Sequence, residues 1–360
     1  MKVKIGDLTK IRTGKLDANA SSEDGQYPFF TCSRETLKIS TYSYDCECVL
    51  VAGNGDLNVK YYNGKFDAYQ RTYIIEDNGS GKLFMPYLYY FMEGYIEELR
   101  KQAIGGVIKY IKLGNLTDAL IELPSVDEQK TIVDILEKSK KVLDMRHEEI
   151  SKLDDLIKAR FVELFGDINT NDKNWDCEPL GELCTIVRGS SPRPIEQFLG
   201  GDVPWIKIGD ATDGDNIYLN STKECIIQEG VKKSRLVKAG SLIFANCGVS
   251  LGFARIITFD GCIHDGWLAM EDIDERLNKV FLLQALNQMT EHFRAIAPDG
   301  TQPNLNTAIM KVFMQVIPPI ELQRDFVKFV EQIDKSKVAV KKALDETQLL
   351  FDSLMQKYFG

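Results

Sequence analysis

The chain has 360 residues, of which 44% are hydrophobic and 27% are charged, and its formal net charge is −9. This hydrophobic content excludes general disorder, and the length is enough for two globular domains with separate cores. No apolar run approaches the roughly 18 residues of a membrane span and no charged-then-apolar leader occurs, so we expect a soluble, cytoplasmic protein without membrane association. Eight cysteines without a CxxC pair argue against a metal site and favour free thiols.

Residues 1–122 are predicted to form an α+β domain built on a sheet. Short β-branched and aromatic runs such as Val49-Leu50-Val51 and Tyr73-Ile74-Ile75 alternate with Gly, Asn and Asp turns, which is a pattern typical of strands. A helical stretch from Tyr87 to Lys101 follows these runs. The segment holds 15 Lys and Arg residues against 16 Asp and Glu residues, so its charge is nearly balanced.

Residues 123–166 are predicted to form one long helix. Seven of ten positions in a heptad seam that begins at Ile132 are apolar, and this sustained alternation of four and three residues indicates a coiled coil. Pro124 blocks extension upstream, and Gly166 can adopt the left-handed cap at the other end. An ordinary core helix is the alternative, although about 40 residues exceeds the usual helix length several-fold.

Residues 167–316 are predicted to form a second α+β domain related to the first. Leu180-Gly181-Glu182-Leu183 corresponds to Ile5-Gly6-Asp7-Leu8, and Pro204-Trp205-Ile206 corresponds to Pro28-Phe29-Phe30. The separation between matching residues grows from 175 to 194, so about 19 additional residues enter in the middle of this domain. With 14 Lys and Arg residues against 20 Asp and Glu residues, the domain is acidic. That balance disfavours unaided DNA binding and fits a protein whose partner supplies part of the phosphate contacts.

Residues 317–360 repeat residues 123–166 without a gap, 194 positions later. Eight of the ten corresponding seam positions are apolar, and the polar positions of the seam differ between the copies. This difference favours two helices that pair with each other over two helices that each pair with a copy of themselves. A chain that carries one architectural unit twice is expected to have a pseudo-two-fold axis, and therefore a two-fold partner or two similar half-sites.

The sequence contains no recognisable catalytic constellation. It has no GxxxxGK[ST], GxSxG or His-Glu-x-x-His motif, and no Asn/Asp-Pro-Pro-aromatic motif of amino-methyltransferases. Three histidines occur, and we interpret His264-Asp265 as a structural hydrogen-bonded pair rather than a catalytic one. We therefore expect that the chain is not itself an enzyme.

A Pro-apolar-x-x-Gln element opens each long helix, from Leu123-Pro124 to Gln129 and in Ile317-Pro318-Pro319-Ile320-Glu321-Leu322-Gln323. The helices also end alike, at Leu164-Phe165-Gly166 and at Tyr358-Phe359-Gly360. With two globules alternating with two helices, the whole chain resembles the specificity subunit of type I restriction–modification systems. The first copy departs slightly from the second, because it has Ser125 where the second has Pro319.

This resemblance implies two target recognition domains, each reading one half of a bipartite site in double-stranded DNA, and two helices that pack antiparallel as a spacer. It also implies that two methyltransferase (modification) subunits dock on the chain, carry S-adenosylmethionine and methylate adenine. Restriction subunits would join them for ATP-driven cleavage, and this chain would carry no cofactor. A helix of about 40 residues is roughly 60 Å long, which limits the gap between half-sites to about 18 base pairs.

Recognition of DNA needs Arg, Lys, Asn, Gln and small polar side chains on loops that face a groove. Arg12-Thr13-Gly14-Lys15 and Arg188-Gly189-Ser190-Ser191 lie at equivalent places in polar turns, and Lys232-Lys233-Ser234-Arg235 is the densest basic cluster. A solvated surface charge is the alternative for any single candidate. In the first domain the candidates are Arg12, Lys15, Lys60, Tyr61, Lys65, Arg71 and Lys109. In the second domain they are Arg188, Ser190, Ser191, Arg193, Lys232, Lys233, Arg235, Gln302 and Asn304.

Apolar residues off the pairing seam are candidates for partner contact, unless they pack on their own globules. They are Val133, Ile135, Val142, Met145, Leu156 and Phe161 on the first helix and Phe329, Val338 and Leu350 on the second. Two other functions stay open. The first is an adaptor whose coiled coil holds two protein-binding globules, which the acidic charge favours. The second is an enzyme with paired active sites, for which no constellation is found.

Overall fold

The computed structural model describes residues 2–212, 217–248, 250–297 and 304–360. The chain forms two compact units: unit 1 is Met1–His147 with Lys341–Gly360, and unit 2 is Glu148–Val340. Each unit has a sheet-containing region and parts of both long helices, which confirms the predicted α+β class. Because the units divide both helices, the four domain boundaries drawn from the sequence stay a prediction. Within the described residues, no helix is both long and apolar enough to cross a membrane.

Unit 1 is built on one mixed sheet whose strand order is β2-β7-β5-β6-β3-β4, and β1 pairs separately with β8. The strands are β1 (Lys2–Lys4), β2 (Thr9–Thr13), β3 (Tyr27–Phe30), β4 (Leu37–Ile39), β5 (Tyr44–Ala52), β6 (Val59–Ala68), β7 (Thr72–Asp77) and β8 (Leu120–Glu122). The helices are α1 (Ile5–Leu8), α2 (Met85–Gln102), α3 (Leu113–Thr117) and the long α4 (Val126–Phe165), which continues into unit 2. A 3-10 turn spans Ala18–Ala20.

The central strand of unit 1 explains why the sheet is buried on both faces. β5 pairs antiparallel with β6 and with β7. Alternate residues of a strand point to opposite faces, so Val49 and Val51 enter the core cluster that contains α2, whereas Cys48 and Leu50 enter a separate cluster. The apolar run that predicted this strand therefore supplies two cores at once.

Unit 2 contains two larger sheets, of order β10-β18-β15-β16-β12 and β13-β11-β17-β14, and a separate pair of β9 with β19. The strands are β9 (Cys177–Pro179), β10 (Thr185–Arg188), β11 (Leu199–Ile206), β12 (Tyr218–Leu219), β13 (Glu224–Ile226), β14 (Arg235–Val237), β15 (Leu242–Ala245), β16 (Ala254–Ile257), β17 (Gly261–Ile263), β18 (Trp267–Glu271) and β19 (Met314–Val316). The helices are α5 (Leu180–Leu183), α6 (Gln228–Val231), α7 (Lys279–Gln288), α8 (Thr290–Ile296), α9 (Thr307–Val312) and α10 (Ile320–Phe359), which continues into unit 1. Two 3-10 turns span Ile195–Gln197 and Ile208–Asp210.

The strand pairing of unit 2 repeats that of unit 1. β11 runs parallel to β17 with Trp205 opposite Cys262, and β3 runs parallel to β6 with Phe29 opposite Asp67. This register confirms the match between the two Pro-aromatic segments that the sequence indicated. Strand β14 pairs antiparallel with β17 as the start of β5 pairs with the end of β6. Strand β12 lies between β11 and β15 along the chain and has no counterpart among the described strands of unit 1. The additional residues of the second domain therefore enter there.

Within unit 2 the two long helices pack against each other and run in opposite directions. The rings of Phe161 and Phe165 each lie 5.5 Å from the ring of Phe326. Further back on α4, Asp154 Oδ1 lies 2.7 Å from Lys337 Nζ, which is further along α10. Earlier residues of α4 thus contact later residues of α10. The predicted antiparallel pairing therefore holds in this unit.

The off-seam apolar residues of the helices divide into two groups. Val133 and Phe161 are buried in the cores of their units, as the alternative interpretation predicted, and Ile135 and Phe329 are partly buried. The exposed ones are Val142, Met145, Leu156, Val338 and Leu350.

Candidate nucleic-acid interface

Four loops of unit 1 meet in one place, which we name junction 1. They are joined by backbone hydrogen bonds: Gly14 N donates to Thr72 O (3.0 Å), Gly53 N to Arg71 O (2.8 Å) and Ile111 N to Gly53 O (2.9 Å). Each loop follows or precedes a strand or helix, so the rigid elements fix where the loops converge. Junction 1 comprises residues 13–17, 53–55, 68–73 and 104–111.

Unit 2 contains the same arrangement, which we name junction 2. Gly189 N donates to Trp267 O (2.9 Å), Asn246 N to Gly266 O (3.0 Å) and Leu305 N to Asn246 O (2.8 Å). These bonds link equivalent loops in the same order as in junction 1. Junction 2 comprises residues 188–193, 246–248, 263–267 and 304–305.

Glycine is required at the centre of both junctions. A Cβ atom on Gly14 would lie 2.2 Å from Ala68 O, and one on Gly189 would lie 2.2 Å from His264 O. No side chain fits at such a distance, so only glycine lets the turn approach the neighbouring backbone. The match between these two glycines, seen first in the sequence, thus marks an equivalent close contact.

Three predicted DNA-binding residues of the first domain come together in junction 1. Lys15, Arg71 and Lys109 are exposed and come from three different loops. Lys15 and Arg71 line a cleft of about 500 Å³ that also includes Ile111, two residues beyond Lys109. Within the described parts of the chain, these three side chains make no hydrogen bond or ion pair, so their charges are available to an anion.

Arg12 and Lys60 lie outside this cleft and have partners inside unit 1. Arg12 Nε lies 2.7 Å from a Glu76 carboxylate oxygen, and its guanidinium stacks 4.6 Å from the centre of the Tyr44 ring. Lys60 Nζ donates to the carbonyl oxygen of Ser33, and burial lowers the pKa of Lys60. Both side chains therefore have partners within unit 1.

Tyr61 and Lys65 also lie on β6, away from junction 1. The Tyr61 hydroxyl donates to Glu47 Oε1 at 2.7 Å, and burial together with this bond raises the pKa of Tyr61. Lys65 Nζ lies 4.7 Å from the centre of the Tyr42 ring. The structure therefore does not gather all seven candidates of the first domain at one site.

An acidic residue organises junction 2. Asp265 accepts a hydrogen bond from Ser191 Oγ (2.7 Å), pairs with Arg193 (3.3 Å) and lies 2.9 Å from His264 Nε2, while its carbonyl oxygen accepts from Arg188 Nε (3.1 Å). Burial acts to raise the pKa of Asp265, but Ser191 and the neighbouring cations outweigh it and hold the pKa below its usual value. His264 and Asp265 therefore lie within hydrogen-bond distance of each other, as predicted, and the structural role of the pair stays a prediction.

The dense basic cluster of the second domain is attached to junction 2 through Ser190. Ser190 Oγ donates to Lys233 O at 3.0 Å, and Ser234 Oγ donates to Ser190 O at 2.7 Å. These bonds place the cluster beside the glycine turn. Its other two members, both exposed, are Lys232 and Arg235.

Asn304 precedes α9 and is the next candidate of the second domain. Asn304 Oδ1 accepts a hydrogen bond from Asn246 Nδ2 at 3.2 Å, which brings Asn304 into junction 2. Gln302 lies outside the described residues.

A cleft of about 670 Å³ beside junction 2 is lined by two predicted residues, Ser191 and Arg193, and also by Lys207, which sequence reasoning missed. Lys207 lies there with its Nζ 2.5 Å from Glu224 Oε1, next to Trp205 and His264. Lys207 directly follows the Pro-aromatic segment that was matched between the domains, and that position was the available signal.

Residues 1–154 and 172–347 match the family model of the type I restriction modification DNA specificity domain. The chain belongs to this family. The EcoDI specificity subunit of Escherichia coli is 28% identical over 99% of this chain and 87% of that protein. A putative type I specificity subunit of Mycoplasma pneumoniae, S.MpnORF638P, is 21% identical over 99% of this chain and 94% of that protein.

Solved structures of type I restriction–modification systems share the fold. The S subunit from M. genitalium has a TM-score of 0.58 at 19% identity and covers 100% of this chain and 96% of that chain. A chain from a structure on complex assembly and conformational transition of the type I system has a TM-score of 0.62 at 16% identity, covering 100% and 97%. The likeness extends over the full length of the chain, so both units and both long helices belong to the shared fold.

The side chains gathered at the junctions are Arg, Lys, Ser and Asn, which donate hydrogen bonds to phosphate oxygens and to base edges. Among the described residues, no group of three or more His, Cys, Asp or Glu side chains is placed to hold a metal ion. The arrangement is suited to holding a polyanion.

Proposed function

We propose that this chain is the DNA-recognition subunit of a type I restriction–modification enzyme and that each globular region reads one half of a bipartite site. The observation that carries the proposal is the duplication of the junction. Equivalent backbone hydrogen bonds build the same four-loop meeting point in both units, and each meeting point displays basic or amide side chains. Two copies of one four-loop scaffold are suited to binding two half-sites on one DNA duplex.

The side chains at the two junctions differ, and this supports two different half-sites. Junction 1 offers Lys15, Arg71 and Lys109, whereas junction 2 offers Arg188 and Asn304 with hydroxyls and further cations beside them. Base identity is read by the pattern of donors and acceptors in a groove, so unlike sets of donors read unlike sequences. The recognised motif is therefore asymmetric.

Partner subunits supply the chemistry in this proposal. Two adenine-methyltransferase subunits bind S-adenosylmethionine and dock on the chain through exposed apolar helix residues such as Val142, Met145 and Val338. Restriction subunits add ATP-driven cleavage, and the complex acts in the cytoplasm. The net charge of −9 supports this division, because an acidic chain needs a partner to supply phosphate contacts.

The long helices set the gap between the half-sites. Each has 40 residues and is therefore about 60 Å long, which corresponds to a gap of at most about 18 base pairs. A rigid helix pair allows one spacing, so the proposal requires a motif with a gap of fixed length.

Co-expression with the accompanying methyltransferase subunit tests the proposal, with methylated adenines mapped across the host genome by long-read sequencing. The expected result is one bipartite motif with one gap length, which is absent when either subunit is omitted. A stable complex that adds no methylation would instead favour the adaptor function. Absence of any complex would overturn the proposal altogether.

A further inference from the structure

Junction 1 contains a loop whose tip is apolar and exposed. In residues 104–110, the side chain of Val107 is fully exposed and that of Ile108 is 63% exposed, and Ile104 and Tyr110 are also exposed. Single exposed apolar residues are common, but four within seven residues form a patch that water solvates poorly. Such a patch calls for a ligand that covers it.

The base of this loop is held firmly in junction 1. Ile104 and Tyr110 exchange backbone hydrogen bonds of 3.0 and 2.9 Å, and the Tyr73 hydroxyl donates to Ile111 O at 3.2 Å. Gly105 has a φ of +120°, so the turn at this position depends on glycine. The tip is therefore displayed from a fixed base rather than from a long unanchored segment.

The surroundings of the tip are basic. The unpaired cations of junction 1 come from the same set of loops, and Lys109 directly follows the tip. The nearby carboxylate of Asp56 is already paired with Arg34 at 2.7 Å and with Arg100 at 3.2 Å. An apolar tip within a positive surface complements a polyanion that also presents apolar groups between its charges.

We propose that Val107 and Ile108 read thymine in the first half-site through apolar contact with its 5-methyl group. This inference rests on the proposed function and names one specificity determinant of it. The thymine methyl is the apolar group that a base pair presents in the major groove, and small aliphatic side chains are its usual partners. The flanking cations hold the phosphates on either side and position the tip.

The second domain carries different chemistry at the corresponding positions. With the separation of 194 residues, Val107 and Ile108 correspond to Thr301 and Gln302, which lie outside the described residues. The loops are equivalent because Tyr110 and Asn304 form matching backbone bridges, to Asn54 and to Cys247. Because one copy has an apolar pair and the other has a polar pair, the shared fold does not require either pair. The difference indicates that the two domains recognise different bases.

A double variant, Val107→Thr with Ile108→Gln, tests the inference by giving the first loop the residues of the second. Co-expressed with the methyltransferase subunit, it is expected to relax or change the first half-site at an adenine–thymine pair and to leave the second half-site unchanged. The matched control is Leu120→Gln, at another exposed apolar position outside the junction (52% exposed). This control is expected to methylate the wild-type motif.

Binding to duplexes with deoxyuridine in place of thymine supplies a direct readout. The wild-type complex is expected to lose about fourfold in affinity for each contacted methyl group that is removed from the first half-site. The double variant is expected to lose less affinity than the wild-type complex does, because Ile108→Gln removes an apolar contact while Val107→Thr keeps a methyl group. Equal binding by the wild-type complex, or an unchanged motif in the variant, would overturn the inference while leaving the proposed function intact.

If the double variant fails to form the complex with the methyltransferase subunit, the inference about thymine is also overturned, because the tip would then contact a partner subunit. If the wild-type complex methylates no bipartite motif, the proposed function itself fails, and that result is distinguishable from the others.

Discussion

Gln129 and Gln323 occupy equivalent places in the two copies of the fold and make the same three hydrogen bonds. Both are fully buried near the start of a long helix. In each residue the side-chain NH₂ donates to two backbone carbonyl oxygens, and the side-chain oxygen accepts from one backbone N–H. The partners of Gln323 lie 194 residues beyond those of Gln129. The partners are Lys82, Pro124 and Phe84 for Gln129, and Arg276, Pro318 and Asn278 for Gln323.

This arrangement explains the glutamine of the Pro-apolar-x-x-Gln element. The side-chain amide joins the start of the long helix to the residue that precedes α2 or α7, so it fixes how the helix leaves its globular region. A buried amide with every partner in place is stable, whereas its removal leaves buried or partly buried backbone groups without partners.

Replacing Gln323 tests this role. Gln323→Ala is expected to lower the free energy of unfolding by about 2–4 kcal/mol, because three backbone groups in buried or partly buried hydrogen bonds lose their partner. Gln323→Glu is expected to cost at least as much, because a carboxylate cannot donate to the two carbonyl oxygens. Urea denaturation of the purified chain measures both effects. Gln332→Ala, at an exposed position of the same helix, serves as control, and equal stability of the Gln323 variants and the control would contradict the account.

A buried ion pair between the helices provides a second test. Lys337 is only 2% exposed, and its Nζ lies 2.7 Å from Asp154 Oδ1. Asp154→Ala leaves a buried ammonium group without this partner and is expected to lower the free energy of unfolding by about 3–5 kcal/mol. Lys337→Met keeps the apolar stem but leaves the Asp154 carboxylate, which is 20% exposed, without this cation, so we expect a loss of stability that is smaller than that of Asp154→Ala.

Lys335→Met, at an exposed position two residues away, controls for the change of residue type. Thermal and urea unfolding would compare the three variants. The ion pair would be unimportant to the helix pairing if Asp154→Ala behaved like the Lys335 control.

The helices were predictable from the sequence because their signals are local. A heptad pattern, a preceding proline such as Pro124 and a terminal glycine such as Gly166 all act within a few residues. The helices observed, Val126–Phe165 and Ile320–Phe359, carry these signals at their ends. The role of Gln129 was not predictable, because Lys82 and Phe84 are more than 40 residues away and only the folded chain brings them near.

The candidate site was predictable in part for the same reason. Lys15 and Arg71 were recognised as loop cations, and the fold brings these loops together. Lys60 and Lys65 are also lysines and looked equally suitable from the sequence. They lie on a strand, however, where each has an aromatic ring as neighbour. Charge alone does not reveal which neighbour a side chain meets. Asp265 carried no sequence signal beyond its pairing with His264, although it organises junction 2.

The glycine at the centre of each junction gives a third prediction. Gly189→Ala would place a Cβ atom 2.2 Å from His264 O, so the turn must move away from the loop that carries Asp265. We expect a loss of about 1–3 kcal/mol in stability and loss of recognition of the second half-site. Gly209→Ala is the matched control, since no atom lies within 4 Å of its added Cβ. Methylation mapping with both variants separates the effects, and an unchanged motif in Gly189→Ala would exclude junction 2 from recognition.

Salt dependence tests whether the cations of junction 1 contact phosphates. Replacing Lys15, Arg71 and Lys109 with Ala, in the complex with the methyltransferase subunit, is expected to reduce the slope of log affinity against log salt. Each lost phosphate contact changes the slope by about 0.9. Lys101→Ala removes an exposed cation that is paired with Glu98 and serves as control. A slope equal to that of the control would show that these three cations do not contact the backbone of DNA.

His264 predicts a pH dependence of stability in unit 2. Burial lowers the pKa of His264, and the cations Arg193 and Lys207 act in the same direction, while Asp265 opposes them. The unfolded chain therefore takes up a proton at His264 more readily than the folded chain does, from about pH 6.5 downward. The contribution of neutral His264 to stability is complete above that pH and is lost as the pH falls through the folded-state pKa.

The variant His264→Gln isolates this effect because it cannot titrate. Urea midpoints measured between about pH 8 and pH 5 are expected to fall less steeply for the variant than for the wild-type chain. Above about pH 7.5 the imidazole is neutral in both folded and unfolded chains, so the two proteins should show parallel midpoints there, which is the internal control. If the two curves stay parallel down to pH 5, protonation of His264 does not limit the stability of junction 2, and its role reduces to the hydrogen bonds with Asp265 and Gly266.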